Sequence, residues 1–279
     1  MSNWRDSYAT YINLDHRTDR KERLIGQFDR IGMSKEIDIH RTRGMYFNEY
    51  DGDKSIIDNW LARYSTPQYM KNMLGCHFSH IKAMRTAFEQ GKNAFVFEDD
   101  LDFASDTLKR LDYAQEFLNK NEWDVFWLGG TYHLNPPMWH NYAQDNARLT
   151  ESDKQFIRES GFSLGRDVEP TNDIRIVKTY GCWSTYAYLV NINSLERILK
   201  MFDDNVHRAH SPDHLFIILQ PYLKTFAFVP AMCKQYDGHS DIGNTNAYFS
   251  TFANLGQYWY ADKMEQFNPN SIDWSKSIG

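Results

Sequence analysis

The sequence predicts an α/β fold built as one domain around a mainly parallel sheet, and three observations carry that prediction. Short apolar runs rich in aromatic and β-branched residues, Tyr8 to Leu14, Ala94 to Phe97, Val125 to Leu128 and Ser184 to Val190, show little alternation, as strands covered on both faces do. Stretches with apolar residues at helical spacing separate them. The Ala94 run also ends abruptly in Glu98, Asp99, Asp100 and Asp102, which puts four carboxylates at the edge where open α/β sheets bind ligands.

The first strand, Tyr8 to Leu14, passes into the polar turn Asp15 to Arg20 and a helix with Leu24, Ile25, Phe28 and Ile31 on one face, capped by Thr18 or Asp19 and stopped by Gly32. No glycine fingerprint follows this strand, so a dinucleotide site is disfavoured. Arg17 and Arg20 either reach a nucleotide or are solvated charges of the first helical turn. Residues 33–74 are mixed and turn-rich, with a break at Tyr64 to Pro67. A helix is expected from Gly75-Cys76-His77-Phe78-Ser79-His80 to Gly91. Gly75 allows close backbone approach, and free amides in that first turn suit a phosphate or a nucleotide hydroxyl. Ser79 and His80 add side-chain contacts there, although a histidine beside an apolar stripe is more often a core residue.

Ser105 is the expected cap of a helix carrying Leu108, Leu111 and Leu118, and Asp124 to Leu128 is a strand ending at Gly129-Gly130, where glycine permits either a ligand's approach or a tight turn. Residues 131–178 lack sustained periodicity and read as an insertion or lid. Ser184 to Val190 is a strand, followed by a helix with Leu195, Ile198, Leu199 and Phe202, and Ser211-Pro212-Asp213 opens another helix. Thr225 to Val229 is a last strand before the polar loop Gln235 to Ile242. Tyr258, Trp259 and Tyr260 are expected to cover the domain.

The 279 residues suffice for a full core in one domain. With 31 basic and 37 acidic residues and a net charge of −6, neither a nucleic-acid footprint nor a polybasic membrane surface is indicated. Cys76, Cys182 and Cys233 are odd in number and lack paired metal-ligand spacing, which points to reduced thiols. The amino terminus has no apolar signal region, and no run is long enough to span a membrane, so a cytoplasmic location is the expectation.

The acidic cluster has two readings. Hard divalent ions such as Mg²⁺ or Mn²⁺ take carboxylate oxygens together with phosphates and water, which makes a metal-diphosphate site; the other reading is an acidic surface turn leading into a helix. His239, in the late polar loop, is a candidate distal ligand. Asp213 is either a functional acid or a favourable charge at a helix N-terminus.

Ile12-Asn13-Leu14-Asp15 with Arg17 and Arg20, Gly75-Cys76 with Ser79-His80, Phe97-Glu98-Asp99-Asp100, the strand to Leu128-Gly129, Tyr188-Leu189-Val190 and Ser240-Asp241-Ile242 together resemble glycosyltransferase family 25. That family includes lipopolysaccharide and lipooligosaccharide galactosyltransferases and collagen hydroxylysine galactosyltransferases. The chain departs from the family's pattern at 131–178 and in the basic stretch Arg41 to Gly44.

The resemblance implies a single GT-A domain over 1–279, an α/β/α sandwich. Residues 1–130 would form the nucleotide-sugar half, 131–178 the insertion, and 179–279 the acceptor-facing half with its carboxyl-terminal cover. It implies a UDP-sugar donor, with galactose or glucose as the hexose, a Mn²⁺ or Mg²⁺ cofactor, and a hydroxyl of a glycan or glycoprotein as acceptor. Asp100 becomes the leading metal ligand, with Asp102 or Glu98 second and His239 completing the site. Asp99 would contact ribose or the donor sugar. Asn13, Leu14, Asp15, Arg17, Arg20, Gly75, Ser79 and His80 fall in the nucleotide-sugar set.

An inverting transfer needs a general base opposite the leaving group, and Asp213 is the candidate, with Asp241 behind it. A retaining transfer would leave Asp213 a binding residue or a helix cap. Two rivals remain: a phosphoester hydrolase, which usually needs a denser His and Asp set for two metals, and a non-catalytic carbohydrate- or nucleotide-binding module on the same fold.

Overall fold

The computed structural model describes residues 3–50, 58, 61–62, 67–132, 175–179, 182–205, 211–219, 222–228, 231–236, 238–242 and 245–247. The expected aromatic cover at 258–260 and most of the expected insertion, 133–174, lie outside them. Both ends of that insertion belong to the sheet, because β5 runs through Tyr132 and a further strand begins at Ile176.

In chain order the elements are β1 (Tyr8–Asn13), α1 (Thr18–Ile31), β2 (Ile39–Arg43), α2 (Pro67–Glu89), β3 (Ala94–Glu98), β4 (Leu101–Phe103), α3 (Thr107–Lys120) and β5 (Val125–Tyr132). There follow β6 (Ile176–Lys178), β7 (Cys182–Val190), α4 (Ile192–Asn205), α5 (Pro212–Leu219), β8 (Thr225–Phe228), β9 (Cys233–Gln235), β10 (Gly238–Ser240) and β11 (Thr245–Ala247). The main sheet has seven strands in the order β2-β1-β3-β7-β5-β8-β6. β6 and β7 run against the other five. This is the mixed, mainly parallel sheet of a GT-A-like fold. Two small ribbons, β4–β9 and β10–β11, complete the pairing among the described residues.

Strand side chains alternate between two cores. Val96, Val125, Trp127 and Tyr188 pack beneath α2, α4 and α5, whereas Phe95, Phe97, Phe126 and Leu189 pack beneath α1 and α3. Each fully buried large apolar side chain contributes about 1.5–3 kcal/mol, so the two layers hold the sheet from both sides.

That layering fixes where a cleft can open. The chain leaves β1 through α1 to β2 on one side of β1, then returns through α2, on the opposite face, to β3 on the other side. The direction of winding reverses at β1, and ligands of open α/β sheets bind in the crevice outside such a reversal. Registers Asn13 to Arg43 and Ile12 to Glu98 bring the three carboxyl ends level there.

Several element boundaries differ from those the sequence predicts. α2 begins at Pro67, eight residues before Gly75, so Gly75 sits mid-helix and its amide is not free for a phosphate. A proline is well suited to a first helical position, which is why a break signal starts this helix. The Gly75 close approach is real, but its neighbour is protein: a Cβ there would lie 2.5 Å from the Met45 carbonyl. α3 is flanked by Asp106 rather than Ser105, and Arg17 occupies the cap position of α1 without a side-chain cap bond. Gly32 stops α1 in the left-handed region at φ 80°. Gly129 lies at an irregularity of β5, and a Cβ there would meet Tyr186 at 2.3 Å and the Cys233 carbonyl at 2.7 Å, so protein rather than ligand fills the space.

Candidate active site

A cleft of about 530 Å³ opens at the carboxyl ends of β1 and β3. Its floor is the link from β3 to β4, Glu98-Asp99-Asp100, and its walls come from the loops after β1 and β2, one side of α2, the start of α5 and the turn after β10. Among the described residues the cation buried against this floor is Arg20. Its guanidinium donates to Asp99 at 2.9 Å and Asp100 at 3.3 Å, and to the backbone carbonyl of His239. Asp99 is fixed from its second oxygen by Asn13, whose amide donates at 2.7 Å. β1 and α1 thus hold the middle acid between them.

Glu98 and Asp100 have less compensation. Gln235, brought alongside by the β4–β9 pairing of Leu101 with Gln235, donates to Asp100 at 3.2 Å and to Glu98 at 3.4 Å. Burial, with the charges of Asp213 and Asp99, pushes the Glu98 carboxyl up to about 8. Burial and Glu98 push Asp100 up to about 7. Two carboxyls that resist ionisation, Asp100 buried and Glu98 mostly so, share the Gln235 amide and form an oxygen-only donor set that Arg20 compensates only in part. A hard divalent cation fits it by both charge and donor type.

Above the floor, Ser79 accepts from the Met45 amide at 2.8 Å and donates to the Gly75 carbonyl at 2.7 Å, clamping the loop after β2 to α2. His80 is fully buried, and its Nδ1 lies 2.8 Å from the Tyr188 hydroxyl. Burial holds its imidazole down to about 3, so it is neutral. At the rim, Asp241 takes Arg17 at 2.5 Å and lies 3.4 Å from His16, whose other ring nitrogen is 2.8 Å from the Tyr46 hydroxyl. Asn72 donates to the Asp241 and Ile242 carbonyls, both at 3.1 Å, and ties the turn after β10 to α2.

Asn13, Leu14, Arg20, Gly75, Ser79, His80, Glu98, Asp99, Asp100, Asp213 and Asp241 all line the cleft. The expected residues Asp15, Arg17, Asp102 and His239 are not part of the lining. Asp15 is bound by Arg41 and Arg43 outside it, at 2.5 and 2.6 Å, and Arg17 spans Asp19 and Asp241. Asp102 points to Arg23, because the residue after Leu101 faces the opposite side of the short β4. The side chain of His239 is exposed, and the residue enters the cluster through its carbonyl alone. Sequence reasoning missed Gln235, Asn72, His16 and Tyr46. Gln235 stood at the start of a polar loop whose strand pairing is too short to show a period, and Asn72 gave no signal inside a stretch read as turns.

The comparisons with known proteins converge on one family. A family model described as glycosyltransferase family 25 (LPS biosynthesis protein) matches residues 9–213, most of the chain, including the cleft floor and Asp213. The chain belongs to glycosyltransferase family 25. It is also similar to a "Glycosyltransferase 25 family member" of Aedes aegypti, 23% identical over 208 residues, which covers 70% of this chain and 28% of the relative. The chain therefore spans under a third of the length of that relative. Among the described residues, no helix is long and apolar enough to cross a membrane.

Proposed function

We propose that this family 25 chain is a metal-dependent glycosyltransferase that moves a hexose, galactose or glucose, from a UDP-sugar to a hydroxyl of a glycan or a hydroxylysine-type acceptor. The observation that carries the reading is the charge balance of the cleft. Glu98, Asp99, Asp100 and Asp213 face a space in which Arg20 is the buried cation among the described residues. A diphosphate entering it would meet the Glu98 and Asp100 carboxyls, which Arg20 and Gln235 compensate only in part, unless a divalent ion came with it. Asp100, with Glu98, is the set proposed to hold Mn²⁺ or Mg²⁺. When bound, such an ion neutralises the departing diphosphate as a Lewis acid.

This chain's own residues do the rest. Asn13 and Arg20 fix the Asp99 carboxylate, which leaves that group oriented for ribose or sugar hydroxyls. The Ser79 clamp holds the loop after β2 as one wall of the donor cleft. In an inverting transfer, the acceptor oxygen bonds to the anomeric carbon and the sugar–diphosphate bond breaks with its electron pair on the diphosphate. Asp213, in the first turn of α5, takes the hydroxyl proton. Asp241, which Arg17 and His16 engage at the rim, is the second candidate for this role. Orientation of the two reactants supplies on the order of 7–11 kcal/mol at best.

Calorimetric titration of UDP in Mn²⁺ and again in EDTA, followed by UDP release over a panel of UDP-hexoses, tests the reading. Metal-dependent binding with turnover selective for one sugar is expected. A chain that binds no UDP in either condition is not a UDP-sugar transferase, and binding without turnover on any donor favours a non-catalytic module.

A further inference from the structure

One wall of the cleft carries two side chains, Cys76 and His80, that the transfer chemistry does not use. Cys76 and His80, one turn apart on α2, meet Glu98 at the end of β3, and the ligand atoms of all three lie within 4.8 Å of one another. We propose that Cys76, His80 and Glu98 form a binding site for a thiophilic divalent cation, with zinc as its natural occupant.

Three features support a built site. The first is His80 Nε2, which is fully buried and has no hydrogen-bond partner although it is aimed into the group. It stands 3.4 Å from Glu98 Oε1. With Zn–N and Zn–O bonds near 2.05 Å, a tetrahedral zinc holds a nitrogen and an oxygen about 3.3 Å apart. A cation between the two atoms would satisfy both at nearly their present separation.

The second is the other ring nitrogen. Ligating histidines almost always give their second N–H to an outer partner, which fixes the tautomer. The Tyr188 hydroxyl, 2.8 Å from His80 Nδ1, is that partner, and it can accept the proton that leaves Nε2 free as a donor of electrons to a metal. The third is the donor set itself. One sulfur, one imidazole nitrogen and one carboxylate oxygen suit Zn²⁺, whereas Mn²⁺ and Mg²⁺ select oxygen. Asp213 faces the same group and adds negative charge that acts on Cys76, His80 and Glu98 alike.

Binding exchanges the Cys76 thiol proton, lost to solvent, for a sulfur–zinc bond, with no change of oxidation state. Three protein ligands leave a fourth position, and all three residues line the cleft, so that position takes water or a cleft ligand. The site stands without the transferase reading. It shares Glu98 with the proposed oxygen set, so zinc there would draw Glu98 away from Asp100 and oppose loading of a hard cation.

Cobalt(II) in place of zinc reports the sulfur directly, through a thiolate-to-cobalt charge-transfer band. One equivalent of cobalt is expected to raise that band in the full chain and to give none in Cys76→Ser; a band that persists in the variant comes from Cys182 or Cys233 and overturns the assignment. The unaltered chain supplies a test that does not depend on a variant's folding. Zinc should slow alkylation of Cys76 by iodoacetamide about tenfold or more, and an unchanged rate with zinc present also overturns it. UDP binding by the unaltered chain in Mn²⁺ is read separately, so a chain that protects Cys76 with zinc yet binds no UDP loses the transferase reading and keeps this site.

Discussion

Asp99 and Asp100 are adjacent in sequence but differ in their partners. Asp99 is held by Asn13 and Arg20, a positioned charge, whereas Asp100 shares Arg20 and Gln235 with other groups and is pushed toward its neutral form. Asp100→Asn is therefore expected to lower metal-dependent transfer by about 10² or more while leaving stability at pH 8 unchanged or higher, because a neutral amide suits that buried position better than a carboxylate. Assay of UDP release beside urea denaturation checks both halves, and an active variant with intact metal dependence removes Asp100 from the ligand set. His239→Ala makes a contrasting case. Its carbonyl, not its ring, serves Arg20, so metal affinity should be unchanged and stability should shift by no more than about 0.5 kcal/mol. A large loss of Mn²⁺ affinity in calorimetry would restore the ring as a ligand.

α2 is the element that turns the sheet edge into a cleft. It carries Asn72, Gly75, Cys76, Ser79 and His80 along one wall, and it approaches the loop after β2 closely enough for Ser79 to take the Met45 amide. Gly75 makes that approach possible. Helix propensity alone favours Gly75→Ala by about 1 kcal/mol, but the added methyl would lie 2.5 Å from a backbone carbonyl that has no flexible end to move. Overpacking of this kind costs about 1–3 kcal/mol, so the clash wins, and the variant should be less stable in urea and weaker for UDP. A variant as stable as the parent would show that the loop yields freely and that α2 does not set the width of the cleft.

Across the whole molecule, two pairs of buried groups oppose each other as pH changes. Glu98 and Asp100 hold protons up to about 8 and about 7, so above their unfolded values the native state binds more protons and stability falls as pH rises. His77 and His80, held down to about 3 by burial, do the reverse: below the ordinary value of 6.5 the unfolded chain binds more protons, and stability rises with pH. The pairs roughly cancel between about pH 4.5 and 6.5, and the carboxyls act alone above that window. The metal-free chain should thus lose on the order of 2 kcal/mol between pH 6.5 and 8. Mn²⁺ should remove most of that loss. Denaturant unfolding at stepped pH, in EDTA and in Mn²⁺, measures it, and a profile that is flat in EDTA or untouched by Mn²⁺ counts against uncompensated carboxyls at the cleft floor.

The strands β1, β3, β5, β7 and β8, the end of β3 in acids, the stop at Gly32 and the start of α5 at Pro212 were legible in the sequence, because each follows from apolar periodicity or local turn chemistry, whereas β2 (Ile39–Arg43), with four polar residues of five, lay in a stretch that reads as turns. The cluster Glu98-Asp99-Asp100 was legible for the same reason, since a run of acids after a buried strand is a local signal. What each acid faces was not. That depends on Asn13, Arg20 and Gln235, which lie tens of residues away in sequence and arrive through parallel β1–β3 pairing, the α1 packing and the short β4–β9 ribbon. The same holds for Gly75, where a residue that reads as a boundary is a contact. It holds also for Asp102 and His239, whose types suit a metal but whose side chains the ribbons turn outward. Residue type and period determine the elements; long-range pairing and packing decide which side chains share one cleft.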